Sequence, residues 1–165
     1  MKILLISDTH GFLDPKLKKH IAAADEVWHA GDVGPARVLD EIKKMKPVRA
    51  VFGNVDGQDI RIEYPEVLEF VCEGLRVLMT HIGGYPGKYP ARISALLAEK
   101  KPGLFICGHS HILRVMYDKR FNLLHMNPGA CGVHGFHQVK TAIRFSVEDG
   151  KPKDLAVIEL GKRTG

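Results

Sequence analysis

The chain has 165 residues, 45% of them hydrophobic and 26% charged, and this balance predicts a single globular domain over residues 1–165 and excludes a disordered chain. The formal charge is +5, from 24 lysines and arginines against 19 acidic residues, and since the lysines are scattered along helix-like stretches they indicate a solvated surface. The three cysteines lack C-x-x-C spacing, which predicts a reducing cytoplasm. No apolar run is long enough to cross a bilayer, so we expect no membrane partner. A predicted strand begins at Lys2, so we expect no signal peptide.

The first half of the chain alternates predicted strands and helices. Apolar runs predict strands at 2–7, 26–30 and 48–52. Asp14-Pro15 and Gly34-Pro35 open two predicted helices, because proline fits the first turn of a helix, and these helices extend to about Ala24 and Met45. Two β-α crossovers of this length predict a parallel sheet with right-handed connections.

The second half is predicted to consist mostly of hairpins. The paired strands are 67–72 with 75–80, 113–117 with 121–126, and 141–147 with 155–160. A further strand is predicted at 104–106, and a helix with one apolar face from about Pro90 to Lys100. Together these elements predict an α/β architecture tending to α+β, with two sheets and helices on the outer faces.

Five short polar blocks carry side chains that can bind metals: Asp8-Thr9-His10, Gly31-Asp32, Gly53-Asn54, Thr80-His81 and Gly108-His109-Ser110-His111. At least four of them directly follow apolar runs of strand character, and ligand sites in α/β sheets form at the carboxyl ends of strands. The set combines carboxylates, imidazoles and one amide without thiolate, which suits a pair of hard-to-borderline divalent ions. A two-metal site predicts hydrolysis of a phosphate ester.

The spacing within the blocks supports shared ligation. Asp8 and His10 are two residues apart, and the last block repeats this spacing. If strand geometry continued, residues two apart would project to the same side and could reach one ion. Gly31 permits a close approach of the backbone before Asp32, whose two oxygens can bridge two ions. Asn54 offers a carbonyl oxygen to a metal and amide N–H groups to a phosphate.

The order Asp-x-His, Gly-Asp, Gly-Asn, a single His and Gly-His-x-His resembles the calcineurin-like metallophosphoesterase superfamily. The form Gly53-Asn54-Val55-Asp56 and the later Asn127-Pro128-Gly129-Ala130 resemble its small prokaryotic YfcE-like phosphodiesterases. The resemblance covers Asp8 to Ala130 and implies a four-layer α/β/β/α sandwich.

The resemblance also implies a role for each ligand. The first ion would be held by Asp8, His10 and His111, the second by Asn54, His81 and His109, and both would be bridged by Asp32. The cofactors implied are two divalent ions, manganese first, with iron, nickel and zinc as alternatives. A hydroxide that bridges the ions would attack phosphorus. We therefore expect a phosphodiesterase that acts on small phosphate esters.

One position departs from the superfamily pattern. Many members carry histidine directly after the Gly-Asn asparagine, where it protonates the leaving oxygen, but this chain has Val55, which cannot donate a proton. The proton donor is therefore open among Asp56, a histidine of the loop 131–137 and solvent. We expect Asn54 and Asp56 as catalytic residues, and Asn54, His134 and His137 as substrate contacts.

Two alternatives to this function stay open. A nuclease or nucleotide phosphohydrolase would use the same chemistry, although the chain lacks the basic-aromatic stripe typical of nucleic-acid grooves. A non-catalytic, protein-binding scaffold of the same fold occurs in the eukaryotic retromer complex, but such members tend to have eroded ligand sets. Relatives often associate, so a homo-oligomer also stays open.

Overall fold

The computed structural model describes residues 1–164, which form ten strands and four helices. In chain order they are β1 (Lys2–Ile6), α1 (Leu17–Ala23), β2 (Glu26–His29), α2 (Arg37–Lys43), β3 (Val48–Ala50), α3 (Gln58–Glu63), β4 (Val67–Cys72), β5 (Leu75–Thr80), α4 (Ala91–Lys100), β6 (Leu104–Ile106), β7 (Leu113–Asp118), β8 (Leu123–Pro128), β9 (Val139–Glu148) and β10 (Lys151–Lys162). The strands form two five-stranded sheets, ordered β10-β9-β1-β2-β3 and β4-β5-β6-β8-β7.

Both sheets mix parallel and antiparallel pairs. In the first sheet β1, β2 and β3 run parallel through the crossover helices α1 and α2, and β9 and β10 extend the β1 edge as antiparallel strands. In the second sheet β5, β6 and β8 run parallel in the centre, with β4 and β7 antiparallel at the edges. The predicted β-α-β half and the three predicted hairpins are therefore confirmed.

Alternating side chains along the central strands divide the core into three parts. In β1, Leu4 packs into a cluster with residues of α1 and α2, whereas Leu5 packs into a second cluster between the sheets. In β5, Val77 joins the cluster between the sheets, and Leu78 packs against Leu97 of α4 on the outer face. Because successive strand residues face opposite sides, each sheet lies between helices and the other sheet. The expected four-layer α/β/β/α arrangement is confirmed.

Several element ends differ from the predictions. Helix α1 begins at Leu17 because Asp14 belongs to a preceding turn, where its Oδ1 accepts the Lys16 N–H at 2.9 Å. Helix α2 begins three residues later than predicted, and β2 and β3 end one and two residues earlier, since the chain leaves the sheet toward the polar blocks. Helix α3 lies outside the predicted elements, because six residues with one buried side chain, Ile60, form too short a pattern.

The cysteines and helices add little further chemistry. Cys72, Cys107 and Cys131 are buried and free. Burial raises the pKa of Cys107 and of Cys131 to about 12, so both thiols stay protonated and unreactive. None of the helices formed by residues 1–164 has the length and apolar character needed to cross a bilayer.

Candidate metal centre

The five polar blocks meet at one edge of the sandwich, in the loops that follow β1, β2, β3, β5 and β6. The first two blocks lie side by side, since the His10 N–H donates to the Asp32 carbonyl at 3.0 Å. The second sheet joins them through His81, whose Nδ1 lies 2.7 Å from the Ala30 carbonyl. The last block lies beside His81, because the Gly108 N–H donates to the His81 carbonyl at 2.9 Å. Strand ends of both sheets thus build a single site.

Two groups of three side chains bring their metal-binding atoms within 4.8 Å of one another: Asp8, His10 and His111 in one, and Asp32, His81 and His109 in the other. Ligands that share an ion at about 2.0–2.2 Å lie roughly 3–4.4 Å apart, so each group approaches a coordination shell. This grouping coincides with the one that the family resemblance implies. Asn54, the expected seventh ligand, lines an open cleft together with residues of both groups.

The two groups are adjacent, and the carboxylates of Asp32 and Asp8 both lie where the groups meet. Its Oδ2 is 3.1 Å from His81 Nε2 in its own group and 3.8 Å from His10 Nε2 in the other. Asp8 Oδ1 is 3.2 Å from His111 Nε2 and 3.9 Å from His81 Nε2. A carboxylate oxygen that faces histidines of both groups is suited to join two ions.

Three buried ligand atoms have no hydrogen-bond partner. Within residues 1–164, the buried side-chain nitrogen and oxygen atoms without a partner are Asp8 Oδ1, His10 Nε2, His81 Nε2 and the Tyr64 hydroxyl. Leaving a buried polar atom unpaired costs about 1–3 kcal/mol. Three of these four atoms are neighbours, because Asp8 Oδ1 lies 3.8 Å from His10 Nε2 and 3.9 Å from His81 Nε2. Carboxylate oxygens and imidazole nitrogens are donors that divalent transition metals accept. The residues present therefore fit bound cations.

Hydrogen bonds behind two rings leave Nε2 free for a metal. A carbonyl only accepts, so His81 Nδ1, facing Ala30, carries the proton. His137 Nε2 donates to the Gly132 carbonyl at 2.8 Å, and its Nδ1 therefore accepts the Nδ1–H of His111 at 3.2 Å. Such partners fix the tautomer of a metal-binding histidine. His137 therefore supports His111 through this hydrogen bond, and it also lines the cleft beside the ligand groups, so its expected substrate contact stays a prediction.

The three expected substrate contacts, Asn54, His134 and His137, line an open cleft of about 490 Å³. Asn54 is exposed at this cleft, and His134 also lines it. The ring of His134 lies 4.9 Å from that of the metal-type ligand His10, between centroids. Both side chains are therefore within reach of a molecule bound beside the ligand groups.

Asp56 occupies a different place from the one expected of a catalytic residue. It is 3% exposed, and its two carboxylate oxygens accept the N–H groups of Gly53 at 2.7 Å and Gly34 at 2.9 Å. Arg61 Nε donates to its carbonyl at 2.6 Å, and Asp56 is not among the residues that line the cleft. This placement corrects the catalytic assignment, because Asp56 braces the loop that carries Asn54.

Hydrogen bonds from Ser7, Thr9 and His29 support the site, and of these residues only His29, close before Asp32, is indicated by the sequence. Ser7 Oγ donates to Asp8 Oδ2 at 2.6 Å and orients that carboxylate. Thr9 Oγ1 donates to a main-chain carbonyl and therefore accepts from His29 Nε2 at 2.9 Å, while His29 Nδ1 accepts the Gly31 N–H at 3.1 Å. Burial lowers the pKa of His29 to about 4, so the ring is neutral. It holds the peptide before Asp32 in place.

Most ligands have left-handed backbone conformations. The φ angles are 56°, 46°, 54°, 69° and 59° at Asp8, His10, Asp32, His109 and His111. Such conformations cost of order 1–3 kcal/mol each in residues other than glycine, and they cluster at functional sites. The assumption that strand geometry continues through the Asp-x-His spacing is therefore wrong. The side chains converge because the chain turns sharply at each ligand.

Two glycines permit close packing of these turns. A Cβ on Gly31, whose φ is +95°, would lie 2.7 Å from His81 Nδ1. A Cβ on Gly53 would lie 2.0 Å from Asp32 Oδ1. The expected close approach of the backbone before Asp32 is confirmed. The absence of a side chain at Gly53 leaves room for the Asp32 carboxylate.

The electrostatics of the site favour the ionised carboxylates that metals require. Burial raises the pKa of Asp8, but His111 and His81 outweigh it and hold the pKa below its usual range. The same opposition, with His81 as the main partner, lowers the pKa of Asp32. Burial lowers the pKa of His10, which favours the neutral ring. Burial also lowers the pKa of His81, but Asp32 and Asp8 outweigh it and raise that pKa, so a metal bound at His81 Nε2 would displace a proton.

A model of the calcineurin-like phosphoesterase superfamily domain matches residues 1–150. This chain belongs to that family. It is 31% identical over 171 residues to a probable metallophosphoesterase of Methanothermobacter thermautotrophicus, with 98% of this chain and 94% of the relative covered. Membership of this calcineurin-like family indicates a hydrolase of phosphoesters that uses divalent metals.

Solved structures share the calcineurin-like fold. An archaeal protein described as a novel phosphodiesterase superposes with a TM-score of 0.75 at 24% identity, covering 97% of this chain and all of that one. Wild-type Vps29 of Entamoeba histolytica, solved in complex with zinc, superposes with a TM-score of 0.73 at 16% identity, covering 96% and 99%. At these identities the likeness shows the fold alone.

Proposed function

We propose that this calcineurin-like protein is a two-metal phosphodiesterase. The observation that carries the proposal is the position of Asp32 Oδ2, 3.1 Å and 3.8 Å from imidazole nitrogens of the two ligand groups. Two ions held there would activate water near neutral pH and neutralise charge on the phosphoryl group. Manganese is the first candidate, and iron, nickel and zinc suit the same donors.

The side chains divide the work as the family resemblance implies. One ion is assigned to Asp8, His10 and His111, the other to Asn54, His81 and His109, and Asp32 sets the distance between them. Asn54 also presents its amide to a phosphoryl oxygen from the exposed side of the cleft. A cleft of about 490 Å³ lies in the range typical of small-molecule sites, so the proposed substrates are small phosphate esters.

The choice of leaving group follows from the residue beside Asn54. Val55 is 56% exposed, and its N–H donates to Asp32 Oδ1 at 3.1 Å, but its side chain has no proton to give. His134 is the remaining imidazole at the cleft that is neither a proposed ligand nor tied to one by a hydrogen bond. We infer that esters whose leaving oxygen departs without a proton, such as aryl esters, react best.

The test is reconstitution of the metal-stripped chain with each metal and assay on bis(p-nitrophenyl) phosphate. We expect two ions per chain by elemental analysis and turnover that follows metal content. Asp32→Asn should lose stable binding of both ions and most activity, whereas Asp40→Asn, on an exposed face of α2, should match the wild type. Two bound ions in Asp32→Asn would contradict the bridging role.

The two half-sites are tested separately. His111→Ala should weaken binding of one ion and His81→Ala binding of the other, with His20→Ala on α1 as the control. If neither ligand variant changes metal content, the assignment carried over from the family is wrong. A scaffold of this fold would bind metal without turnover. Because the Entamoeba Vps29 was solved with zinc, metal content alone does not separate the two functions and turnover decides.

A further inference from the structure

A small second pocket adjoins the metal centre. It measures about 90 Å³, and it shares Ser110 and Ile112 with the large cleft. Ser110 is the residue between the ligands His109 and His111. A group bound in the small pocket would therefore lie next to a phosphoryl group at the metals. The polar residues that line the pocket are Tyr85, Ser110, Arg114, His125 and Asn127.

Arg114 brings an unpaired positive charge to this pocket. It lies in β7, and its guanidinium carbon is 4.5 Å from the centroid of the Tyr85 ring. Tyr85 belongs to the loop that follows His81. No carboxylate lines the pocket. Within residues 1–164, the arginines that form ion pairs are Arg49, Arg76 and Arg92. The tyrosine ring thus holds a guanidinium whose N–H donors face no protein anion.

The neighbouring polar groups also favour an anion. Ser110 Oγ accepts the Ile112 N–H at 3.2 Å and an amide N–H of Asn127 at 3.1 Å, which leaves its own O–H free to donate. Burial lowers the pKa of His125 to about 4, so this ring is neutral and Arg114 is the sole cation of the lining. Donors from a guanidinium and a hydroxyl, without a competing carboxylate, match the oxygens of an anionic ligand.

We propose that this pocket binds a second anionic group of the substrate, beside the phosphoryl group that is cleaved. The proposal rests on the proposed function, because the metals place the scissile group. A space of about 90 Å³ accepts a few water molecules, a carboxylate or a phosphate. The substrate class is a phosphodiester whose retained arm carries a phosphate or carboxylate a few bonds from the scissile phosphorus.

The kinetic test uses three p-nitrophenyl alkyl phosphates that differ in the alkyl arm, which is ethyl, 2-carboxyethyl or 2-phosphonoethyl. For the wild-type, metal-loaded enzyme we expect kcat/KM for an anionic arm to exceed that for the ethyl arm by about tenfold or more, because bonds to charged groups are the strong ones. Arg114→Gln should remove this preference and leave the ethyl ester within about twofold of wild type. The two anionic arms distinguish carboxylate from phosphate recognition.

The matched control is Arg120→Gln. Arg120 also lies over an aromatic ring, with its guanidinium carbon 4.8 Å from the Phe121 centroid, but it lines a separate surface depression. This variant should keep the wild-type preference. Equal rates for all three esters in the wild type, or an unchanged preference in Arg114→Gln, would overturn the proposal while hydrolysis of the ethyl ester still supports the phosphodiesterase.

Direct binding separates the pocket from catalysis. The metal-stripped full chain is titrated with inorganic phosphate and followed by phosphorus NMR. We expect binding by the wild type and by Arg120→Gln, and loss of binding in Arg114→Gln. Absence of binding by the wild type, or equal binding by both variants, rejects the pocket. If no metal form hydrolyses any ester, the proposed function fails, and the phosphate titration still decides whether the anion site exists.

Discussion

Replacing Gly53 with alanine should damage the metal centre without changing any ligand. A Cβ on this residue would lie 2.0 Å from Asp32 Oδ1 and 2.3 Å from the Asp32 main-chain nitrogen. Ordinary van der Waals contact begins near 3.4 Å, so the carboxylate or the loop must move by roughly 1.4 Å. Gly53 does not have the left-handed backbone conformation that excludes alanine, so the effect comes from this overlap alone.

A shift of that size is large for a metal site. Ligands are held within about 0.5 Å of their working geometry, and a misplacement of about 1 Å can cost about 100-fold in rate. Overpacking of this kind destabilises a protein by about 1–3 kcal/mol, or about 2–12 °C in Tm for a chain of this length. We expect a loss of activity of about 100-fold together with weaker metal binding.

Gly57→Ala is the matched control in the same loop. Gly57 has φ −82°, and a Cβ there would meet Asp59 Oδ1 at 3.2 Å and nothing closer. The assay measures metal content, kcat on bis(p-nitrophenyl) phosphate, and Tm with and without metal. Wild-type metal content and kcat in Gly53→Ala would refute the tight packing against Asp32. Equal damage in Gly57→Ala would show that the loop tolerates no substitution and that the contact with Asp32 is not the cause.

Three further predictions concern residues that are not candidate ligands. His137→Ala removes the hydrogen-bond acceptor of His111 Nδ1 and should lower the affinity for one ion by about 10–100-fold in a chelator competition titration. Unchanged affinity would contradict the supporting role that we assign to His137. Val55→His should accelerate hydrolysis of alkyl esters, by up to the order of 10²–10⁴-fold, more than that of aryl esters, and an equal gain on both would mean that proton transfer is not the missing step. Asp14→Asn leaves the buried Lys140, whose Nζ lies 2.7 Å from Asp14 Oδ2, without its partner and should cost about 3 kcal/mol, measured as a lower Tm at pH 7. Burial raises the pKa of Asp14, but Lys140 outweighs it and the net pKa is lowered; the stabilisation is therefore present above the unfolded-state pKa of about 3.9, and the Tm difference should vanish as the pH falls through the lower folded-state value.

The meeting of the candidate ligands at one edge could be predicted from the sequence because their local context repeats. In β1, β2, β3, β5 and β6, an apolar strand leads into a short polar block. Parallel strands deliver such blocks to one edge of a sheet, so the order of Asp8, Asp32, Asn54 and the later histidines was sufficient to predict a shared site. The second sheet could be predicted as hairpins, but the distance between the two sheet edges depends on core packing that no local pattern carries.

The roles of Asp56 and His137 could not be predicted, because they depend on hydrogen bonds over long stretches of the chain. Asp56 looked like an acid beside the metals, yet one of its oxygens accepts an N–H from Gly34, 22 residues away. His137 lines the cleft, as a substrate contact would, and it also contacts His111, 26 residues away. In both cases the hydrogen-bond partner gives the side chain its supporting role, and no local sequence pattern indicates that partner.

The strained backbone and the unpaired atoms at the metal centre have a common cause. The left-handed turns at Asp8, His10 and Asp32 conflict with local backbone preferences, and the buried Oδ1 of Asp8 conflicts with the rule that buried polar atoms are paired. Local rules fail together mainly where function requires it. A bound cation would satisfy the unpaired atoms directly and stabilise the turns that aim them, since anything that binds the folded state alone favours it. Metal binding at this site would therefore stabilise the same turns whose backbone is strained and whose buried atoms are unpaired.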